Sequence, residues 1–400
     1  KLMVSYVSYK TLTLEVSVNG MSEINITLAP DNQQLGEVVV VAEAKKNTEN
    51  ALITRQRTSL VMQTGVSAQQ ITKTQDKDAS EVIRRVPGIS IIEEKFVMVR
   101  GLSQRYNNVW INNSAVPSSE ADARAFSFDI IPSSQLDNML VVKSPAPEYP
   151  ADFSGGFILV NTKDVPNSNL FNISVGGSMN DQTHFKNFQY NKGSGTDFLG
   201  FDNGLRSLNG GINATLRPMN NGYDLLNNGL NNDWSIKNRK PIADLSLSMN
   251  IAHRWVSESG RTLAMLGVVN YSNTYKTYLN MDNNLYGAYD ITHDRSNYLR
   301  KGVDDQYNHN VRVGAMLNLT YVPASGNNRY EFKNIFNQLG KDRYTYRKGT
   351  DAQSDYEESA EYYYQSRTTY SGQFTGKHTW SDTDKLDWSA GYSYANRNMP

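Results

Sequence analysis

Five histidines, His184, His253, His293, His309 and His378, are the side chains with which this chain could ligate a metal, and no two of them stand at helical ligand spacing. The absence of Cys removes thiolate sites and any disulfide framework. Gly193-Ser194-Gly195 sets a serine between glycines but lacks the flanking strand and helix of a nucleophile elbow. Gly155-Gly156 is followed by neither Lys-Ser nor a helix, so it does not cradle phosphate. Asp304-Asp305 and Asp202-Asn203 carry oxygens of the kind calcium takes, but acidic pairs in polar loops are usually just solvated. The expectation is therefore no catalytic residue, no cofactor and no metal, which leaves recognition. Two features fit that chemistry. Glu37, Val38, Val39, Val40, Val41 and Ala42 form a run of high strand propensity before a polar stretch, a template for strand addition by another protein or an ordinary strand of a small domain. Arg100 and Arg105 cluster with Gly101 and Tyr106, where they would hold carboxylates of a neighbouring surface or lie solvated.

The elements that would position these residues follow from a rhythm in the second half. Segments 170–180, 243–256, 261–275, 308–322, 329–344, 361–380 and 385–396 alternate apolar and polar residues with period two, as strands do. Leu245, Leu247, Met249, Ile251 and Trp255 oppose Ser246, Ser248, Asn250 and Arg254. Val311, Val313, Ala315, Leu317, Leu319 and Tyr321 oppose Arg312, Asn318 and Thr320, and Tyr362, Tyr364, Tyr370, Phe374 and Trp380 oppose Gln365, Arg367, Gln373, Lys377 and Thr379. Short turns at 257–260, 324–328 and 381–384 alternate with long connections at 181–242, 276–309 and 345–360. That alternation, with strands of about ten residues or more, predicts an antiparallel transmembrane β-barrel. A soluble β-sandwich would alternate too, but with shorter strands and connections unsorted by length. A barrel must satisfy its edges, so seven strands predict further wall strands beyond residue 400. An outer-membrane location likewise predicts an export signal removed or trimmed ahead of residue 1.

Composition agrees. Hydrophobic residues make up 38%, and no run approaches the ~18 apolar residues of a spanning helix. With 24 Tyr and 5 Trp, interfacial aromatic girdles and ligand-binding loops are both possible uses. Forty residues of each charge sign give no global attraction for nucleic acid.

Upstream, residues 1–30 read as the end of a small β-domain, with Val4, Tyr6, Leu12, Leu14, Val16, Ile24, Ile26 and Leu28 alternating around a turn at Asn19-Gly20. Residues 31–56 hold the valine run and a polar linker, 57–165 a mixed α+β domain, and 166–400 the strands. In the mixed domain Asp78 and Glu81 form a capping box, with Ala79, Val82, Ile83 and Val86 at helical spacing before Pro87-Gly88. Ser67 and Gln70 suggest a second capped helix, and strands are expected at 89–92, 96–99, 109–112, 139–142 and 157–160.

The residues 78–89, Val99-Arg100-Gly101-Leu102-Ser103-Gln104-Arg105-Tyr106-Asn107, Ala125-Phe126-Ser127-Phe128-Asp129-Ile130-Ile131-Pro132, Val141-Val142-Lys143-Ser144-Pro145, Phe153-Ser154-Gly155-Gly156 and Val160-Asn161-Thr162-Lys163 resemble, in order and spacing, the plug of TonB-dependent outer-membrane receptors, particularly of Bacteroidetes type. Pro87, Gly88, Arg100, Gly101, Arg105, Tyr106, Lys143, Pro145, Gly155 and Gly156 are the matching landmarks. Asn112-Asn113 stands where the family often has Asp-Gly, and Ser144 replaces the usual Gly before Pro145. Val4 to Leu28 is similar to the end of a carboxypeptidase-regulatory-like domain, and Glu37 to Ala42 looks like a TonB box. The resemblance implies active import of a siderophore, oligosaccharide or peptide. The energy-transducing TonB–ExbB–ExbD complex would pull on the TonB box, and plug and N-terminal domain would face the periplasm. Outer-membrane lipid and, in some relatives, a SusD-like lipoprotein are further implied partners. A barrel that only anchors surface-binding or assembly loops is the alternative. The long loops, 181–242 among them, would then capture cargo.

Overall fold

The computed structural model describes residues 2–6, 11–15, 25–29, 48–118, 120, 124–166, 168–207, 233–381 and 383–400, in two compact units, Lys1–Lys45 and Lys46–Pro400. In the first unit β1 (Leu2–Val4) pairs antiparallel with β2 (Leu12–Leu14). The Asn19-Gly20 turn and the segment Glu37 to Ala42 lie outside the described residues.

The second unit opens with α1 (Glu49–Thr58) in what reads as linker. Its start is signalled locally: Thr48 accepts from the Ala51 N–H at 3.2 Å, Glu49 lies in the first turn and Arg55 and Arg57 in the last. Leu52 anchors it against Leu140, Val142, Phe157 and Leu159. The mixed domain continues through β3 (Gln63–Ser67), α2 (Ala68–Thr74), α3 (Ala79–Ile83), β4 (Ile89–Ile92), β5 (Phe96–Val99), β6 (Asn108–Ile111), β7 (Ser114–Ala115), β8 (Leu136–Val142) and β9 (Phe157–Thr162). Five strands form one sheet, β3-β8-β9-β6-β7, and β4-β5 a separate hairpin. β3 carries no period-two signal. It is placed by β8, and a Cβ on Gly65 would sit 2.4 Å from the Met139 carbonyl oxygen.

Both expected helix caps form, one with altered bonding. Ser67 accepts from Gln70 N at 3.3 Å. Asp78 Oδ1 accepts from the Ser80 and Glu81 N–H groups, but Glu81 turns back onto the Lys77 N–H rather than that of Asp78. Asn112 (φ 50°) and Asn113 (φ 67°) supply the two left-handed residues of the two-residue turn between β6 and β7, the role Asp-Gly plays elsewhere. Ser144 accepts from the Met62 N–H through its hydroxyl at 2.9 Å, tying the turn before Pro145 to the lead-in of β3.

β10 (Leu170–Ser178) begins the wall; β11 (Phe188–Asn191) and β12 (Ile236–Arg239) pair with each other beside it. β13 (Asp244–Val256), β14 (Thr262–Asp290), β15 (Arg295–Val322), β16 (Asn328–Asp351), β17 (Tyr356–Thr379) and β18 (Lys385–Asn398) follow. The sheet order β10-β13-β14-β15-β16-β17-β18 is an antiparallel meander, the fold class expected for the wall of a membrane β-barrel with an α+β plug. Two expected long connections are instead strand. The β14–β15 ladder runs on to Asp290↔Arg295 and the β16–β17 ladder to Thr350↔Tyr356. Beyond the lipid band neither face is apolar, so alternation vanishes from the sequence while backbone pairing continues.

Face assignment is settled by what each side touches. Ala252, Leu266, Val268, Met316, Ile335 and Leu339 share one core with Val82, Ile83, Phe128, Ile130 and Met139 of the mixed domain. On the opposite face Val269, Leu317, Phe332 and Phe374 remain 52%, 42%, 42% and 42% exposed, as a lipid-facing row requires. Near the short turns, Tyr321, Tyr330, His378, Trp380 and Trp388 form a chain of ring contacts of 5.5–6.4 Å, one aromatic girdle.

Candidate functional site: the contact between inner domain and wall

The landmark residues gather into one bonded framework within the inner domain. Arg100 (φ 53°) and Gly101 (φ 77°) are the central pair of a tight turn closed by the Leu102 N–H on the Val99 carbonyl at 3.0 Å. Arg100 donates from its backbone to Gly88 and from its guanidinium to the Gly155 carbonyl, at 2.9 and 3.1 Å. Lys143 Nζ donates to the Pro87 carbonyl at 2.6 Å. Burial, with the charge of Arg100 beside it, holds that ammonium below the usual lysine range. A Cβ on Gly156 would meet Val99 Cγ2 at 2.9 Å, and one on Gly155 would meet Asn107 Oδ1 at 2.3 Å, so both glycines mark close backbone approach. Arg105 lies over the Tyr106 ring at 5.4 Å. Neither Arg100 nor Arg105 forms an ion pair with the wall among the described residues, which overturns the expectation that they clasp wall carboxylates. Their short reach is spent inside the domain.

The ion pairs that do cross carry the opposite polarity: the inner domain supplies carboxylates and the wall supplies cations. Asp78, while capping α3, accepts from Arg312 Nη2 of β15 at 3.0 Å. Asp129 Oδ2, on a 3-10 turn (Phe128–Ile130), accepts from Lys341 Nζ at 2.8 Å and from Arg367 Nη2. Glu120 accepts from Arg397 Nη1 at 2.7 Å and stands 3.6 Å from Arg367 Nη1. Asp164 pairs with Lys333. Asn318 Nδ2 donates to the Lys163 carbonyl at 2.6 Å, and Ser134 donates to Asn270 Oδ1 at 2.9 Å.

Arg367, 0% exposed, is the centre of this arrangement. Burial alone would raise the Asp129 carboxyl, but the charges of Arg367 and Lys341 outweigh it and hold Asp129 well below the usual carboxylate range. Burial raises Asp137 and lowers Lys163, so not every charge along the seam is compensated. Gln135 and Asn337, both 0% exposed, face each other across Gly314 with all side-chain polar atoms unpartnered by protein. Asp129 had a signal in the sequence: it is the one charged residue in the stretch Ala125-Phe126-Ser127-Phe128-Asp129-Ile130-Ile131-Pro132. Lys333, Lys341 and Arg397 had none, because a single charge on a wet strand face is ordinary, and neither had Glu120 and Asp164, because a single carboxylate in a connection is equally so.

The described parts of the connection between β10 and β13 pack on the wall. Gln338 Nε2 donates to the Gly200 carbonyl at 2.5 Å, Arg206 lies 3.8 Å over Tyr364, and Tyr362 donates to the Trp234 carbonyl at 2.8 Å. Gln338, Tyr362 and Tyr364 alternate with the plug-facing Leu339, Lys341 and Arg367, so this segment lies on the outer face of the wall.

Residues 55–157 match the family model of the TonB-dependent receptor plug domain. A vitamin B12 transporter of Photobacterium profundum is 28% identical over 118 residues, covering 28% of this chain and 19% of that protein. Among solved structures, the siderophore receptor PirA of Acinetobacter baumannii aligns at 10% identity over 86% of this chain and 49% of its own, TM-score 0.34. The ferric enterobactin receptor of Pseudomonas aeruginosa aligns at 10% identity over 86% and 50%, TM-score 0.35. The chain thus spans about half the length of these solved receptors.

Proposed function

We propose that this chain, carrying a TonB-dependent receptor plug domain docked on the inner face of an outer-membrane barrel wall, is the gated part of an energised importer. The observation that carries the reading is how the plug is held: a continuous apolar core, ion pairs that reach across it, and buried amides left without protein partners. A permanent filler has no use for unmatched polar groups, whereas a part that must leave and return is served by a contact whose polar positions water can satisfy. TonB, energised by ExbB and ExbD, would pull from the periplasm on Glu37 to Ala42, and the strain would pass through α1 into the plug. Siderophore, oligosaccharide and peptide remain the candidate cargo classes.

The test is uptake by cells carrying the full-length receptor with residues 37–42 deleted, against labelled peptides, glycans and iron chelates. Loss of uptake of one class with surface binding retained is the expected result. Unchanged uptake, or binding without uptake in either strain, would replace this reading with that of a surface-binding anchor.

A further inference from the structure

On β15 the residues of the outer face are apolar up to one level, and protein covers the wall above it. On β15 the outward row runs from Tyr321 through Leu319, Leu317, Ala315 and Val313 to Val311. Ten residue steps of ~3.4 Å, tilted by ~45°, span ~24 Å, the height of a bilayer's apolar band. At the upper limit of that row a strap crosses sideways, formed by residues 181–207 and 233–242. Gly200 (φ 80°) presses on the wall there: a Cβ on it would lie 2.9 Å from Gly340 N and 3.4 Å from the Val311 carbonyl oxygen. Gln338, on the outer face, is 0% exposed because of this contact.

The strap is held over four strands. Phe188 packs edge-on against Tyr275 and Tyr307 at 5.3 and 5.5 Å, Arg239 stacks on Tyr190 at 4.2 Å and Tyr275 at 4.8 Å, and Trp234 meets Tyr362 at 5.5 Å. Arg206 is locked by Asp197 and Asp202 at 2.6 and 2.7 Å. Packed on the wall in this way, the strap still leaves Phe198 57%, Leu199 37%, Phe201 37% and Leu205 41% exposed, with Lys186, Lys192 and Lys240 also exposed along it. Phe198, Leu199 and Phe201 flank Gly200, so they sit within two residues of the top of the lipid band.

We propose that this strap is a membrane-surface collar, its phenylalanines and leucines entering the acyl boundary of the outer leaflet and its lysines meeting the phosphates of anionic headgroups. Aromatic and apolar side chains with flanking cations are what that interface selects. Continuity with the apolar band names the occupant: the exposed cluster begins where the lipid-facing row ends. The proposal rests on the barrel reading of the wall.

The test uses the full-length receptor in vesicles of phosphatidylcholine with phosphatidylglycerol, carrying one fluorescent label on a single introduced cysteine, Phe198→Cys or, as a second variant, Phe201→Cys. Quenching by a nitroxide placed high on the lipid chain is compared with quenching by aqueous iodide, with Val269→Cys and Asp294→Cys as references. Labels at 198 and 201 are expected to be quenched by the shallow lipid nitroxide and to lose iodide quenching. If both behave like the label at 294, on the turn between β14 and β15, the collar is wrong. If the label at 269 also escapes every lipid nitroxide, the barrel reading itself has failed.

Discussion

Substituting Arg367 by Gln tests how the plug is held. The guanidinium is fully buried between Asp129 and Glu120, and its loss strands carboxylates that are themselves almost completely buried. Removing one member of a buried pair costs about 3–5 kcal/mol. Asp129 keeps Lys341, and Glu120 keeps Arg397 and Lys95, so the lower end applies, ~3 kcal/mol or about a hundredfold in the ratio of open to docked plug. Asp129→Asn confronts Lys341 and Arg367 with a neutral amide and belongs at the upper end. Because the two changes remove the same contact, the double variant should cost less than their sum by ~1–3 kcal/mol. The assay is hydrogen exchange of β8 and β9 amides in the membrane-embedded protein, which reads the opening equilibrium. Acceleration of about fivefold or less in Arg367→Gln would be the signature of a solvent-screened pair and would refute the buried-latch argument. The pH dependence carries a sign. Asp129 is depressed in the folded state, so its contribution is complete above the ordinary carboxylate value of ~3.9 and is lost only as pH falls through its lower native value. Protection corrected for intrinsic exchange should therefore be flat from about pH 8 to about pH 5 for this group.

Two further outcomes follow from the same contacts. Gly156→Ala drives a methyl into Val99 and should destabilise the plug by ~1–3 kcal/mol, seen as a lower denaturation midpoint, whereas Gly101→Ala meets no atom and should cost only the strain of its left-handed backbone. Lys163 is lowered by burial, so the native plug gains stability as pH rises toward the ordinary lysine value of ~10.4; Lys163→Met should raise the midpoint at neutral pH and abolish that rise.

What the sequence disclosed was whatever repeats along the chain or closes within one turn of it. The outward row Val311 to Tyr321, the caps at Ser67 and Asp78 and the strands 89–92 and 96–99 are local patterns, and the structure holds them. The upper halves of β14 to β17 were illegible because Asp282, Asn283, Asn284 and Lys301 place polar groups where apolar ones would announce a strand. The side on which the strap lies is a parity decided by contacts between Gly200 and Gly340, far apart in sequence and recognisable only as two glycines once apposed. The polarity of the crossing ion pairs was hidden for a related reason: Asp129 and Arg367 are 238 residues apart, and the visible arginines, Arg100 and Arg105, are occupied within the plug.

The order of the inner sheet also fixes where a tensile load is felt first. β3 is an edge strand, bonded to β8 through five residue pairs, and it is the sheet strand nearest the N-terminal side of the unit. Traction entering ahead of α1 therefore meets residues 48–67 before any carboxylate that grips the wall, all of which lie further along the chain, from Asp78 to Asp164. The edge can peel while β8, β9 and β6 stay laced together and pinned. Under the pull proposed above, such a layout would serve as a mechanical fuse: the piece nearest the load is an edge ladder of five residue pairs, and re-forming it would not call for refolding the domain.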